Sequence, residues 1–449
     1  MEAWALTVGA GVRASFTAEV PDIMSSPGTL PPPSFSQSAA VFAQIGILSF
    51  GGPAAQIALM QRELVDQRGW LDQGDFLRAL SFCMFLPGPE AMQLVTYAGW
   101  RLHGTLGGVM AGGLFVAPGA LVVLGLSVVY AALGQVPLVA ALFLGVQASV
   151  VVIIADALWR MARRALISAQ ARLLAGLAFT ALFLMQVPFP AVIGCAALAG
   201  VVFGRGRVAR AVFGAALPRF PWQSLFGWGA MWLVPLAGLW LFEGGILAKI
   251  GSFFAGLAVV TFGGAYAVLA FMAQRAVTDL GWLSTAAMMD GLGLAETTPG
   301  PLILVTEFVG YMAAHGVGGW TLGLAGAGVA LWMTFIPCFL WIFVGAPYLD
   351  FISTRPALSA ALQAISAAVV GVIANLSLWF ALHVIFTTLH SVTFGPLHLI
   401  WPEWGSLRPV TVGVMAVAAI TLFWRRWPLA YVLGLCAGLS ALIAANGSV

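Results

Sequence analysis

Residues 42–107 return at residues 254–319 without a gap, at a constant offset of 212, and about 19 of roughly 66 aligned positions are identical. Phe50-Gly51-Gly52-Pro53 meets Phe262-Gly263-Gly264-Ala265, and Arg68-Gly69-Trp70-Leu71 meets Leu280-Gly281-Trp282-Leu283. Pro87-Gly88-Pro89-Glu90 meets Pro299-Gly300-Pro301-Leu302, and His103-Gly104 meets His315-Gly316. A chain built this way folds as two related halves. Each copy places helix-breaking Gly and Pro inside hydrophobic sequence, which in paired halves is the sequence mark of a membrane substrate site.

Only 8% of the residues are charged and 61% are hydrophobic, against about 25% charged in soluble domains. Apolar runs near 20 residues recur, long enough to cross a hydrocarbon core of about 30 Å. They are rich in Leu, Ala, Val and Gly and do not alternate, so the expected fold is an all-α polytopic membrane protein. The net charge of +3 carries no message about partners, because the arginines sit mostly in loops; nucleic acid is not an expected partner. Cys83, Cys195, Cys338 and Cys436 fall in apolar spans with no C-x-x-C pair, so buried reduced thiols are expected. Residues 1–34, with Pro31-Pro32-Pro33, read as a mobile N-terminal arm rather than a cleaved signal.

In the first half the expected spans are 36–60, 74–100, 104–133, 138–159, 172–186 and 189–203, followed by an unpaired span at 222–242. The second half gives 250–273, 284–314, 318–344, 358–386, 409–424 and 428–445, for about thirteen in all. Threading them puts the loops holding Arg160, Arg163, Arg164 and Arg172, and Arg205, Arg207, Arg210 and Arg219, on one side, which the positive-inside rule makes cytoplasmic. Six spans plus one linker is an odd number, so the second copy enters the membrane inverted. The loop matching residues 160–172 is 387–407, which holds no Lys or Arg, as inverted copies require. The domain division expected is 1–34, a first repeat at 35–221, a linker helix at 222–247 and a second repeat at 248–449. Re-entrant rather than spanning Gly/Pro-broken pairs would preserve the parity.

Pro53, Pro89 and Pro301 each follow Gly, and Pro suits the start of a helix because its missing N–H was an orphan there. The Gly51-Gly52-Pro53, Gly263-Gly264, Pro87-Gly88-Pro89 and Pro299-Gly300-Pro301 runs therefore read as places where one half-helix stops and another starts. Their free N–H groups and positive dipole ends suit an oxyanion. The alternative is that these residues only permit kinks and close packing. Thr297 and Thr298 either cap a helix start or bond back to the preceding turn. Charges inside spans are few: Glu90, Glu296 and Glu307 are candidate proton carriers, and Arg78, with Asp290 at its matching position, either neutralises an anion or pairs with a nearby carboxylate. Asp156 is the expected helical partner of Arg160. His383, His390 and His398 with Trp401 and Trp404 read as an interfacial belt, and no metal site is expected. No His-Glu-x-x-His, Gly-x-Ser-x-Gly or Walker loop occurs, against an intramembrane hydrolase or an ATP-driven pump; no enzyme activity and no cofactor are expected.

Phe50-Gly51-Gly52-Pro53, Glu63-Leu64-Val65 with Gly69-Trp70-Leu71, Leu86-Pro87-Gly88-Pro89-Glu90-Ala91 and Thr96-Tyr97-Ala98-Gly99-Trp100 form one motif set. Thr261-Phe262-Gly263-Gly264 and Ala295-Glu296-Thr297-Thr298-Pro299-Gly300-Pro301-Leu302 form its counterpart. With these the chain resembles the chromate ion transporter family in its long two-domain form, from about Phe35 to the end. The resemblance implies a multi-pass protein of the bacterial inner membrane, with halves in opposite orientation. It also implies export of chromate driven by the proton motive force, which confers chromate resistance. Chromate and sulfate are near-isosteric dianions, so a sulfate or general oxyanion carrier and a passive anion channel stay open, as does a homodimer.

Overall fold

The computed structural model describes residues 33–50, 52–134, 136–204, 220–242, 244–262, 265–349, 356–395 and 397–446. Nearly all of the N-terminal arm and the arginines at 205, 207, 210 and 219 lie outside these residues. The helices are α1 (Phe35–Leu48), α2 (Gly52–Gln61), α3 (Gln73–Phe85), α4 (Glu90–Leu133), α5 (Pro137–Ala165), α6 (Ala169–Phe183), α7 (Phe189–Gly204) and α8 (Trp222–Phe242). There follow α9 (Ile246–Val260), α10 (Ala265–Gln274), α11 (Thr285–Thr297), α12 (Val305–Gly345), α13 (Pro356–Ile385), a hairpin of β1 (Leu389–Phe394) and β2 (Leu397–Pro402), α14 (Pro409–Ala419) and α15 (Leu429–Ala445).

Local chemistry sets the helix ends. Ser34 and Gln37 form a reciprocal capping box that starts α1. Asp72 accepts from the Gly74 and Asp75 amides to start α3, and Ser284 accepts from Ala287 to start α11. The expected span 36–60 is broken: α1 stops at Ser49 and α2 restarts at Gly52, whose φ of +80° suits glycine. The span 74–100 breaks in the same way between α3 and α4. Fourteen helical residues reach only about 21 Å, short of the hydrocarbon core, so α1 cannot cross alone. Among the described residues, five elements are long and apolar enough to cross: Glu90–Leu133, Pro137–Ala165, Trp222–Phe242, Leu302–Tyr348 and Ala357–Ile385. The protein is a multi-pass membrane protein.

Two of the long elements fold back on themselves. In α4 the helix turns at His103 and Gly104 (φ +65°). Beyond the turn Gly107 comes so close that a Cβ on Gly99 would lie 2.3 Å from its carbonyl oxygen. In a straight helix these two residues would be about 12 Å apart. The turn of α12 is at Gly318 and Gly319 (φ +70°), and Gly310 packs on Gly326 as Gly99 packs on Gly107. The matching turn is thus three residues later than the gapless repeat predicts, and His315-Gly316 lies within the helix. The second half holds an added 3₁₀ turn, Leu302–Leu304, before its half-helix begins.

The halves interlock. α5 packs against α14 and α15, and its counterpart α13 packs against α6 and α7. A Cβ on Gly145 would lie 2.1 Å from the Cys436 carbonyl oxygen, and one on Gly371 would lie 2.2 Å from that of Ala175. Glycine at each crossing lets the backbones meet. The loop expected at 387–407 is largely a β-hairpin, an addition to the all-helical expectation. It is pinned by the His398 amide donating to the Leu184 carbonyl (2.7 Å). The three histidines do not gather: His390 faces Glu403 at 3.7 Å, while His383 bonds the Trp379 carbonyl of its own helix. Cys83, Cys338 and Cys436 are buried thiols, but Cys195 is exposed on α7, where only lipid is expected to cover it.

Candidate functional site

The four helix breaks meet in reciprocal pairs. The Gly88 amide, in the first Pro-Gly-Pro, donates to the Thr261 carbonyl at the end of α9 (2.8 Å). The Gly300 amide, in the second, donates to the Ser49 carbonyl at the end of α1 (2.8 Å). Gly88 and Gly300 correspond in the repeat, as do Ser49 and Thr261, so exchanging the halves exchanges the two bonds. Helix ends leave carbonyls without intrahelical partners, and here the other half satisfies them. Ser49 and Thr261 also turn their hydroxyls back to Ile45 (2.6 Å) and Leu257 (2.5 Å).

The long arms repeat the exchange. A Cβ on Gly119, next to Pro118 of α4, would lie 2.2 Å from the Pro299 carbonyl oxygen. Cys338, next to Pro337 of α12, places its Sγ 3.2 Å from where a Cβ of Gly88 would be. Each Pro-Gly-Pro is therefore held by the opposite half from two directions. The glycines at its centre have φ of +125° (Gly88) and +91° (Gly300), which side chains disfavour.

Side chains complete the site. Gln56 of α2 donates to the Gly300 carbonyl (2.6 Å), tying one half to the other. Gln93 of α4 donates to Pro87 within its own half (2.7 Å). Both glutamines are buried, and with each Nε2 committed, each Oε1 is a buried acceptor without a hydrogen-bond donor among the described residues. Tyr266, in the first turn of α10, donates to Glu296 Oε1 of α11 (2.9 Å). The same hydroxyl lies 3.9 Å from the position of a Cβ on Gly52. A carboxyl, a phenol and the start of α2 thus meet at one point between the halves.

The expected site residues distribute as follows. Gly51, Gly263 and Gly264 lie outside the described residues. Gly52 and Pro53 open α2, Pro89 is the N-cap of α4, and Pro301 is the N-cap of the short 3₁₀ turn. Pro87 and Pro299 supply the carbonyls met by Gln93 and Gly119. The Gly88 and Gly300 amides, expected to donate to an anion, donate to protein carbonyls in this geometry. Thr297 and Thr298 bond back to Leu294 (2.8 Å) and Ala295 (3.1 Å), so their hydroxyl protons serve the preceding turn. Arg78 is half exposed and pairs with Asp75, with about 10 Å of helix between it and the end of α3. Glu90 starts α4 and is partly buried. Glu307 is buried in α12, and its Oε2 has no hydrogen-bond partner among the described residues. Asp156 pairs with Arg160, as its spacing predicts.

Partners not singled out in the sequence also matter. Asp290 is buried and accepts from Tyr130 (2.8 Å) and Gln147 (2.8 Å), both in the first half. Gln56, Gln93 and Gln147 are rare polar residues in apolar spans. Extending the argument about intramembrane charges to uncharged amides would have found them.

The chromate transporter family profile matches residues 36–201 and again 248–442. A chromate transport protein of Pseudomonas aeruginosa is 33% identical over 350 residues, 76% of this chain and 80% of its own length. One from Cupriavidus metallidurans is 30% identical over 347 residues (77% and 82%). A probable chromate transport protein of Synechococcus elongatus is 28% identical over 405 residues (88% and 96%). No solved structure matches the chain.

Proposed function

Because the chain belongs to the chromate transporter family, a family of transporters rather than enzymes, we propose that it carries chromate across the bacterial inner membrane through the paired helix breaks. The observation that carries this reading is the reciprocal pairing of Gly88 with Thr261 and Gly300 with Ser49. Interrupted helices meeting at a repeat interface are where secondary transporters bind anions. The first N–H groups of α2, α4 and α10 are unsatisfied by their own helices, and chromate oxygens take the place of water on them. In this reading Gly51, Gly52, Pro53, Pro87, Gly88, Pro89, Gly263, Gly264, Thr297, Thr298, Pro299, Gly300 and Pro301 shape the anion path. Using the Gly88 and Gly300 amides requires the two reciprocal bonds to open.

The proposed topology has about thirteen membrane segments, some re-entrant at the breaks, with repeats at 35–221 and 248–449 inverted about the linker at 222–247. The arginine-rich loops face the cytoplasm. Export is driven by protons and confers chromate resistance, with Glu90, Glu296 and Glu307 as carriers. Glu296 is the foremost, because its carboxyl joins Tyr266 beside Gly52. Rocking of one sequence half against the other is a poor description of alternating access here. α5 and α13 are each embedded in the opposite half, so exchange of partners at the breaks is the motion favoured.

The test is chromate uptake into inverted membrane vesicles, with and without an imposed proton gradient and with excess sulfate. Gradient-driven accumulation that sulfate barely reduces supports a dedicated, proton-linked chromate carrier. Full competition by sulfate makes it a general oxyanion carrier. Equilibration that ignores the gradient removes the coupling role of the glutamates.

A further inference from the structure

We propose that the groove between α5, α6 and α13 binds an anionic glycerophospholipid, with an acyl chain on its floor and the head group at Arg172. The groove encloses about 440 Å³, within the roughly 300–1,000 Å³ usual for ligand sites. Its floor is made of small residues: Gly371 meets the Ala175 carbonyl so closely that the two helices touch, and a Cβ on Gly176 would meet nothing within 4 Å. Phe179 lies at the apolar end, and Arg172 with Trp159 at the other. About 10 Å of helix separates Arg172 from Phe179, so the groove is charged at one end and apolar along its length, as an amphiphile is.

The charge is concentrated by the short link between α5 and α6. Arg163 and Arg164 lie in the last turn of α5 and Arg172 in the first turn of α6, on either side of this link. Arg160 is neutralised by Asp156, and Arg163 lies 5.5 Å over the Trp159 ring. Arg172 has no carboxylate partner among the described residues and lines the groove itself. A membrane offers such a site one abundant partner, a lipid whose phosphate is not balanced by its own ammonium. Cations beside the head-group region attract anionic lipids and leave zwitterionic ones nearly unaffected.

Native mass spectrometry of the purified full-length protein tests this, using phosphatidylglycerol and phosphatidylcholine with identical acyl chains. Phosphatidylglycerol is expected to bind more tightly. Arg172→Ala is expected to weaken it by about five-fold, the equivalent of ~1 kcal/mol for one cation, and to leave phosphatidylcholine unchanged. Arg172→Lys retains the preference, and Gly176→Leu, which fills the open floor, weakens both lipids. Equal binding of the two lipids by the unaltered protein overturns the proposal, as does a preference that survives Arg172→Ala. Displacement of the lipid by inorganic phosphate alone also overturns it, because the site would then recognise a bare anion.

Discussion

The two Pro-Gly-Pro breaks share a backbone and differ in nearly everything attached to it. Each glycine amide finds the carbonyl that ends a helix in the opposite half, at the same 2.8 Å. Around the second break lie three buried carboxyls, Asp290, Glu296 and Glu307. At the matching positions the first half has Arg78, Met84 and, past the added turn, Met92. The first half instead lends amides and a phenol: Gln56 to Gly300, and Tyr130 and Gln147 to Asp290. Symmetry has been kept where geometry is at stake and lost where charge is. A duplicated scaffold can hold one asymmetric titratable site, because main-chain pairing does not depend on side chains.

The contrast is broken most severely at the arms. Gly119→Leu drives a side chain into the Pro299 carbonyl, and overpacking of this kind costs about 1–3 kcal/mol or more. Thermal unfolding in detergent should show a large loss of folded protein, with chromate uptake abolished. At the reciprocal contact Cys338→Ala should cost about 1 kcal/mol and leave uptake in place. Equal sensitivity at both positions would mean that the two breaks are not held differently.

Next in size is the carboxyl. Glu296→Gln should lower gradient-driven uptake by about tenfold, ~1.4 kcal/mol, with chromate affinity nearly unchanged. Met84→Leu, at the matching position, should alter neither. Parallel loss of transport and binding in Glu296→Gln would take away its coupling role.

The glutamines separate the breaks from each other. Gln56→Leu leaves the Gly300 carbonyl without its donor, and Gln93→Leu does the same to Pro87, each at about 1–3 kcal/mol. Hydrogen exchange should quicken at the Gly300 amide in the first variant and at Gly88 in the second. Quickening at both amides in either variant would show that the breaks open together. The smallest effect is expected at Arg78→Ala, since a surface pair such as that with Asp75 contributes less than about 1 kcal/mol. A large rise in the chromate concentration needed for half-maximal uptake would restore Arg78 as an anion ligand.

Much of this was legible in the sequence. The gapless repeat located all four breaks, and Asp156 found Arg160 at helical spacing. The hairpin tips were not legible, for a specific reason. His103-Gly104 matches His315-Gly316 letter for letter, yet only the first pair makes a turn. An added 3₁₀ turn at Leu302–Leu304 shifts the second tip to Gly318 and Gly319, while glycines along both arms keep the wrong register looking right. The reciprocal hydrogen bonds were hidden too, because they join main-chain atoms more than 170 residues apart (Gly88 to Thr261, Ser49 to Gly300). A sequence announces a carbonyl that ends a helix but not the amide that will meet it. The partners of Asp290, the Gln147 amide and the Tyr130 phenol, were missed because the argument from polarity inside the spans was confined there to charges.

The interlocked helices also impose an order in time. α5 is complete at Ala165, but α15 begins only at Leu429. At roughly 5–20 residues per second of synthesis, α5 waits about 10–50 s in the bilayer before its last neighbour exists. Gly145, shaped to receive the Cys436 backbone, lacks that partner throughout the interval. The first half therefore cannot reach its final packing as an independent unit, and the ribosome must release most of the chain before either half is closed.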